Sequence, residues 1–317
     1  MKILITGGAG FIGSHTARRF GEMGHEIVVL DDFNDYYDPS IKRENVATRL
    51  PQGSVVIEGD IRDKDAVKEA FSHGIDAVIH LAARAGVRPS LEDPELYIST
   101  NISGTFNILE AARDNGVKKV LFASSSSVYG VNDKVPFAED DLLQRTISPY
   151  AMTKLAGEHM CSNFSHLYGM QIVCLRFFTV YGPGQRPDLA IHKFSQKIWD
   201  GTPIDQYGDG STRRDYTYID DIVDGIVGSF NYNDKPFEIL NLGESQTTTL
   251  KELIEGIESA IGKKAKINLM PEQPGDVPRT FADISKAKEL IGYNPQTKIK
   301  DGLPMFAEWF IGRQQAK

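Results

Sequence analysis

A doubly wound α/β fold, a parallel sheet with helices on both faces, is predicted by three observations. Short continuous apolar runs of strand length alternate with longer amphipathic stretches through the first half of the chain. A glycine-rich turn, Gly8-Ala9-Gly10-Phe11-Ile12-Gly13, follows the first apolar run and opens the first helical stretch. After Gly182 the texture changes, and the loops become rich in proline and glycine. Apolar strands separated by helices imply a sheet buried on both faces, because each crossover lays a helix over it.

The elements follow in order. Lys2–Thr6 reads as the first strand and residues 12–23 as the first helix. Further strands are predicted at 27–30, 55–59, 77–81, 120–123 and 173–176. Helical patterns occupy 64–71, 94–115 and 150–168. In the second half, Gly182-Pro183-Gly184, Gly208-Asp209-Gly210 and the stretch from Pro271 to Pro278 punctuate the chain, with strand patterns at 216–219 and 238–242. Residues 1–180 are therefore expected to form the cofactor domain, and 181–317 mostly a smaller mixed α/β substrate-binding domain. A segment near 215–245 is expected to return to the first domain.

Composition narrows the function. The chain has 317 residues, 41% hydrophobic, with a formal net charge of -8. That balance argues against non-specific binding to nucleic acid or anionic membranes. No apolar run reaches the roughly 18 residues needed to span a bilayer. Cys161 and Cys174, 13 residues apart and without neighbouring histidine pairs, suggest neither a metal site nor a disulfide framework. A poor signal sequence, with its apolar run broken at Gly7, makes a reducing cytoplasm the expected location.

The glycine turn sits between strand and helix, the context that a dinucleotide-binding, Rossmann-like loop requires. Gly10 lets backbone approach a pyrophosphate, Gly13 lets helix and strand pack closely, and the helix N-terminus attracts the negative charge. Asp31 comes 18 residues after Gly13, at the end of the second strand. An acid there bonds the adenosine ribose and repels a 2′-phosphate, which favours NAD over NADP. Asp32 beside it leaves that assignment open by one residue. Asp60 is either an adenine contact or a surface acid.

Tyr150 and Lys154 lie one turn apart and share a helical face. A nearby ammonium and an oxidised nicotinamide would favour the phenolate, which can take a proton from a sugar hydroxyl. Ser125 lies in the run Ser124-Ser125-Ser126-Ser127-Val128-Tyr129-Gly130, directly beyond the fifth strand. Ligands bind at that end of open α/β sheets.

With these residues in hand, the chain resembles the extended short-chain dehydrogenase/reductase family from end to end. The resemblance implies bound NAD, a Ser125–Tyr150–Lys154 triad and a nucleotide-sugar substrate. It places Gly7, Gly10, Phe11, Ile12, Gly13, Asp31, Asn34, Asp60, Ile61, Leu81, Ala82 and Ala83, with Tyr150 and Lys154, against NAD. A narrower set looks like UDP-glucuronate 4-epimerases: Asn34-Asp35-Tyr36-Tyr37-Asp38-Pro39, Ala85-Gly86-Val87-Arg88, Ser124 to Gly130, Arg176 to Pro183, Arg186-Pro187-Asp188 and Arg214 to Asp221. UDP-galactose 4-epimerases resemble it less, usually carrying Asn at the position of Thr179 and Arg at that of Gln273. The resemblance also implies a homodimer, two helices from each copy forming a four-helix bundle.

For the substrate, Arg214 is the first choice of cation for the diphosphate, with Arg186 and Lys193 second. A solvated surface role is the alternative for each. Asp276 could bind the uridine ribose, and the resemblance places Tyr207 near where the family holds uracil. A glucuronate carboxylate could be held by an Arg88 fork or by the hydroxyls of Ser126, Ser127 and Thr179, and the neutral cluster is favoured. The expected reaction is 4-epimerisation of UDP-glucuronate to UDP-galacturonate through a 4-keto intermediate. UDP-glucose/UDP-galactose epimerisation is the alternative, then UDP-glucuronate decarboxylation or dehydration. A dehydratase needs an acid pair where Ser126 and Ser127 stand, and a decarboxylase typically carries a glutamate in that loop.

Overall fold

The computed structural model describes residues 1–143, 145–271 and 279–315. The strands β1 (Lys2–Thr6), β2 (Glu26–Asp31), β3 (Val55–Glu58), β4 (Ala77–His80), β5 (Lys119–Ser125) and β6 (Gln171–Phe177) form one parallel sheet. Their order is β3-β2-β1-β4-β5-β6, and the strand Phe237–Leu242 adds parallel to the far side of β6. Both faces are buried, as the continuous apolar runs require. Ile3 and Ile5 enter one core with Val29, Ile79 and Leu121. Leu4, between them, enters the opposite core with Val28, Val78 and Val120.

Helix α1 (Phe11–Glu22) and the helix Ile219–Asn231 cover the first face. Helices Lys64–Ser72, Thr105–Asp114 and Pro149–Tyr168 cover the second. The chain winds outward in opposite directions from β1, so a crevice opens at the carboxyl ends of β1 and β4.

The predicted helix at 94–115 is broken. Pro94–Ile98 and Thr105–Asp114 are separated by a wide π-helical turn, Ser99–Gly104. The cause is tertiary. The Asn101 side chain accepts from the Arg84 amide (2.8 Å) and donates to the Arg84 carbonyl (2.9 Å) and the Thr153 hydroxyl (3.0 Å). A Cβ at Gly104 would lie 2.6 Å from Ile61. The turn is widened to make these contacts, at the expense of regular helix.

Helix Pro39–Arg49 goes beyond the sequence-based expectation, as do Ala190–Asp200, Leu250–Ile261, Ser285–Ile291 and Ile299–Gln315. In the second half three two-stranded ribbons form. Thr179–Tyr181 pairs with Tyr216–Tyr218, Arg213–Arg214 with Thr248–Thr249, and Pro203–Tyr207 with Lys266–Met270. The strand pattern at 216–219 stops one residue early, because Ile219 begins a helix. Among the described residues, no helix is long and apolar enough to cross a membrane.

Candidate active site

A cleft of about 450 Å3 fills the crevice. Its floor is the glycine turn. Gly7 has φ +70°, its N–H bonds Leu30 O at 2.8 Å, and a Cβ there would lie 2.8 Å from the Ala82 nitrogen. The sharp turn therefore falls at Gly7, one residue before the Gly8 that opens the sequence motif. A Cβ on Gly13 would lie 2.2 Å from Gly7 O, so α1 packs directly on the turn. A Cβ on Gly10 would meet nothing closer than 3.2 Å, and no side chain caps the start of α1. The turn is thus a backbone cradle with free first-turn N–H groups, suited to an anion.

One end of the cleft is acidic. Asp31 is buried, its Oδ2 accepting from Ala9 N (3.1 Å) and its Oδ1 from Phe33 N (3.1 Å). Asp32 accepts from the backbone and side-chain amide of Asn34. The Asn34 side-chain oxygen Oδ1 in turn accepts from Arg84 at 3.2 Å. Burial would raise the Asp60 pKa, but a forked hydrogen bond and charge from Arg62 outweigh it and hold it low. Ile61, Leu81, Ala82 and Ala83 complete this wall. Thr100, which sequence reasoning missed, also lines the cleft, and its buried Oγ1 has no hydrogen-bond partner among the described residues. A backbone cradle, acids suited to ribose and an orphaned hydroxyl fit a dinucleotide.

The three candidate catalytic side chains meet where β5 ends beside helix Pro149–Tyr168. Ser148 starts that helix, its side chain accepting from Ala151 N at 3.1 Å, with Pro149 in the first turn. Tyr150 and Lys154 then face β5. Lys154 is 4% exposed and donates to Ala123 O at 2.7 Å. Burial lowers its pKa to about 8. Burial raises the Tyr150 phenol; the Ser125 hydroxyl and the charge of Arg186 pull it back without overcoming burial. The Lys154 ammonium, to which the sequence assigns that role, spends one of its three donors on the Ala123 carbonyl.

Beneath the serine run lies a buried polar truss. Ser124 donates to Glu158 Oε1 at 2.5 Å, and Arg176 forks onto the same carboxylate with two 2.8 Å bonds. Arg176 also donates to the Tyr129 hydroxyl at 3.0 Å, and Tyr129 to Asn241 at 2.7 Å. Both Ser124 and Ser125 line the cleft, but the Ser124 hydroxyl is spent on Glu158 in this truss.

Of the candidate substrate residues, Ser126, Ser127, Thr179 and Arg186 line the same cleft. Thr179 is fixed by its N–H to Asp215 O at 3.1 Å. Arg186 forks onto Asp188 (3.0 and 2.7 Å) and lies 5.3 Å from the Tyr36 ring centre. Arg88, Lys193, Tyr207 and Arg214 are not among its lining residues. Arg88 instead stacks 5.1 Å over the Tyr207 ring, and Arg214 donates to Arg213 O at 2.9 Å. Asp276 and Gln273 lie outside the described residues. Sequence reasoning also missed Lys42, Tyr37 and Arg84 in the cleft wall.

Comparison with known proteins agrees with this geometry. The model of the NAD dependent epimerase/dehydratase family matches residues 3–243. UDP-glucuronate 4-epimerase 1 of Arabidopsis thaliana is 42% identical, over 98% of this chain and 77% of its own length. The crystal structure of a Bacillus cereus UDP-glucuronic acid 4-epimerase with UDP-glucuronic acid and NAD is similar at TM-score 0.91 and 37% identity, covering 99% of this chain and 100% of that one. A Thermus thermophilus UDP-glucose 4-epimerase bound to NAD is similar at TM-score 0.90 and 34% identity, covering 98% and 99%.

Proposed function

The chain belongs to the NAD-dependent epimerase/dehydratase family, with NAD as its cofactor, and from that premise we propose that it interconverts UDP-glucuronate and UDP-galacturonate at C4. Overall likeness does not choose the sugar, since glucuronate and glucose epimerases match at similar identity. The choice rests on the hydroxyl cluster of Ser126, Ser127 and Thr179, which lines the same cleft as Tyr150.

Tyr150 takes the proton from the C4 hydroxyl, with Ser125 bridging the two, and returns it after the sugar turns over. Bound NAD supplies the hydride acceptor and then the donor, so the cycle is redox-neutral and the cofactor stays in place. The 4-keto uronate is a β-keto acid and loses CO2 readily. Ser126, Ser127 and Thr179 hold its carboxylate without a full opposing charge. Arg186, the candidate cation that lines the cleft, is already forked onto Asp188. Arg214 remains the choice for the diphosphate and Tyr207 for uracil, beyond this cleft. No acid pair stands at Ser126 and Ser127 to eliminate water, which weighs against a dehydratase.

Residues 1–180 with the returning strand Phe237–Leu242 form the cofactor part in this reading, and the rest the substrate part. Partly exposed Ile98, Phe106, Met152, Leu167 and Tyr168 support a homodimer paired through the helices that carry them. The free, buried Cys161 and Cys174 are consistent with a cytoplasmic enzyme. Incubating the protein with UDP-glucuronate and with UDP-galactose, and resolving products by chromatography, tests the reading. Equal rates on the two would overturn the substrate and leave the epimerase standing.

A further inference from the structure

Lys42 sits where a surface lysine has no reason to be. It is 6% exposed, lines the cleft, and donates to Asp31 Oδ1 at 2.8 Å and to Asp32 Oδ1 at 3.3 Å. Its position is built into the fold. Helix Pro39–Arg49 is capped by Asp38, which accepts from Ser40 N at 2.9 Å. Three residues beyond Lys42, Asn45 donates to Ala9 O at 3.0 Å, while Ala9 N donates to Asp31. The glycine turn, the acid and the lysine are therefore one hydrogen-bonded unit.

We propose that Lys42 is a specificity-determining residue of the adenosine end of the cofactor site, and that Asp31 masks it as a phosphate-binding cation. Two carboxylates against one ammonium leave the corner net negative, which repels a 2′-phosphate dianion. Asp31 already accepts three bonds from the protein, so little acceptor capacity remains for the ribose. Lys42 supplies the complementary donor to a ribose oxygen. With Asp31 removed, Lys42 keeps only the longer bond to Asp32, the corner becomes neutral, and a fixed buried ammonium faces the 2′ position. An ammonium of that kind binds phosphate by a charge-assisted hydrogen bond.

The test compares wild type with Asp31→Ser, Asp31→Ser/Lys42→Met and Asp31→Ser/Lys42→Arg. The double variant with Met removes both charges together, so no buried charge is stranded. Each purified protein is exchanged against an equimolar NAD and NADP mixture, and the bound dinucleotides are released by denaturation and quantified. The NADP-to-NAD ratio should rise by about tenfold or more in Asp31→Ser, the scale of one charge-assisted bond. It should fall back at least severalfold with Lys42→Met and stay high with Lys42→Arg. Equal ratios in Asp31→Ser and Asp31→Ser/Lys42→Met would overturn the role of Lys42, as would no rise in Asp31→Ser. Wild type that prefers NADP would instead overturn the ribose argument for Asp31, a separate result.

Discussion

Lys154 and Tyr150 lie one helical turn apart, yet the lysine ammonium is 6.0 Å from the tyrosine ring centre and spends its shortest bond, 2.7 Å, on the Ala123 carbonyl. The protein alone thus leaves the Tyr150 phenol above its ordinary pKa, through burial, with Ser125 and Arg186 as the groups that lower it. Tyr150→Phe keeps the shape and removes the proton acceptor. Folding and NAD retention should survive, while turnover falls by at least the roughly 10²-fold typical of a general base. Near-normal turnover would show that another group takes the proton.

Lys154 should reveal itself in stability as well as rate. Its pKa is about 8 in the fold, lowered by burial from 10.5. Between those values the unfolded chain binds more protons than the folded one, so this group adds stability as pH rises through that window. Below about 8 the buried charge is a liability on the order of 3 kcal/mol, less the lost Ala123 bond. Lys154→Met, which removes a member of the proposed triad, should lose turnover yet be at least as stable as wild type at pH 7, the difference shrinking above pH 10. Denaturant melts across pH measure this; a variant clearly less stable at pH 7 would contradict it.

The glycines of the turn should separate by role. At Gly13 an added methyl would collide with the Gly7 carbonyl at 2.2 Å and the Gly8 Cα at 2.7 Å, both backbone. Gly13→Ala should lose stability and cofactor together. Gly10 has ordinary extended geometry, with φ -73° and ψ -178°, and an added Cβ would meet only the Gly7 carbonyl, at 3.2 Å, a tight contact that a small shift relieves. Gly10→Ala should fold with a near-normal melting temperature and lose NAD, because the methyl enters the space kept for pyrophosphate. Equal melting temperatures for the two variants would remove this distinction.

The contrast between what the sequence revealed and what it hid has a physical basis. β1, β2, β4, β5 and β6 are buried on both faces, so apolar runs announced them. Helix Pro39–Arg49 buries Lys42 and Asn45 rather than a hydrophobic stripe, and leaves no periodic signal. Lys42 became a site residue only through acids ten and eleven positions earlier in the chain. The break at Ser99–Gly104 was equally hidden, because its cause is an Asn101 clamp on Arg84 and Thr153. Serine, tyrosine and lysine of the proposed triad carried local signals, a strand end and a four-residue spacing. Tyr207 rested on resemblance alone, Arg214 on resemblance and its place before a strand pattern, and Arg88 on the fork it offers a carboxylate, and the cleft does not gather them.

Acid should act on the fold through His80. It is buried between the Thr6 hydroxyl (2.6 Å) and the Thr105 hydroxyl (3.0 Å), and burial with the nearby Lys154 charge lowers its pKa to about 3. The unfolded chain takes up a proton near 6.5 and the folded one does not, so stability present above 6.5 is lost as pH falls toward 3. The full loss is on the order of 5 kcal/mol for this group. Asp215 acts oppositely, its pKa raised to about 7 by burial, so the comparison must be between variants. His80→Gln should start less stable at about pH 7 but lose less on acidification from there to about pH 4. Parallel pH profiles for the two proteins would refute the assignment.

Assembly is open to a direct check. Phe106 is 41% exposed and packs edge-on against Phe164 at 6.0 Å, on the helices proposed to pair. Light scattering at micromolar concentration should give twice the chain mass for wild type, and Phe106→Glu should shift it toward the monomer while each copy still binds NAD. A wild-type monomer would dismiss the paired bundle.

The substrate claim turns on Thr179. UDP-glucuronate and UDP-glucose differ at C6, a carboxylate against a hydroxymethyl. A site that hydrogen-bonds a polar group discriminates against its absence more strongly than an apolar pocket does. Thr179 is held in place by its backbone bond to Asp215, so Thr179→Val removes one hydroxyl and little else. Leaving a buried carboxylate acceptor unpaired should cost on the order of 1–3 kcal/mol of binding. The preference for uronate over the neutral sugar should shrink accordingly. A looser carboxylate should also rotate toward the geometry in which the 4-keto acid sheds CO2. Chromatography would then show a UDP-4-keto-pentose, and absorbance would show NADH trapped on the enzyme, because the keto-pentose leaves before the hydride returns. A variant with unchanged uronate preference and no carbon loss would move the carboxylate grip away from Thr179, leaving Ser126 and Ser127, or the Arg88 fork, to carry it.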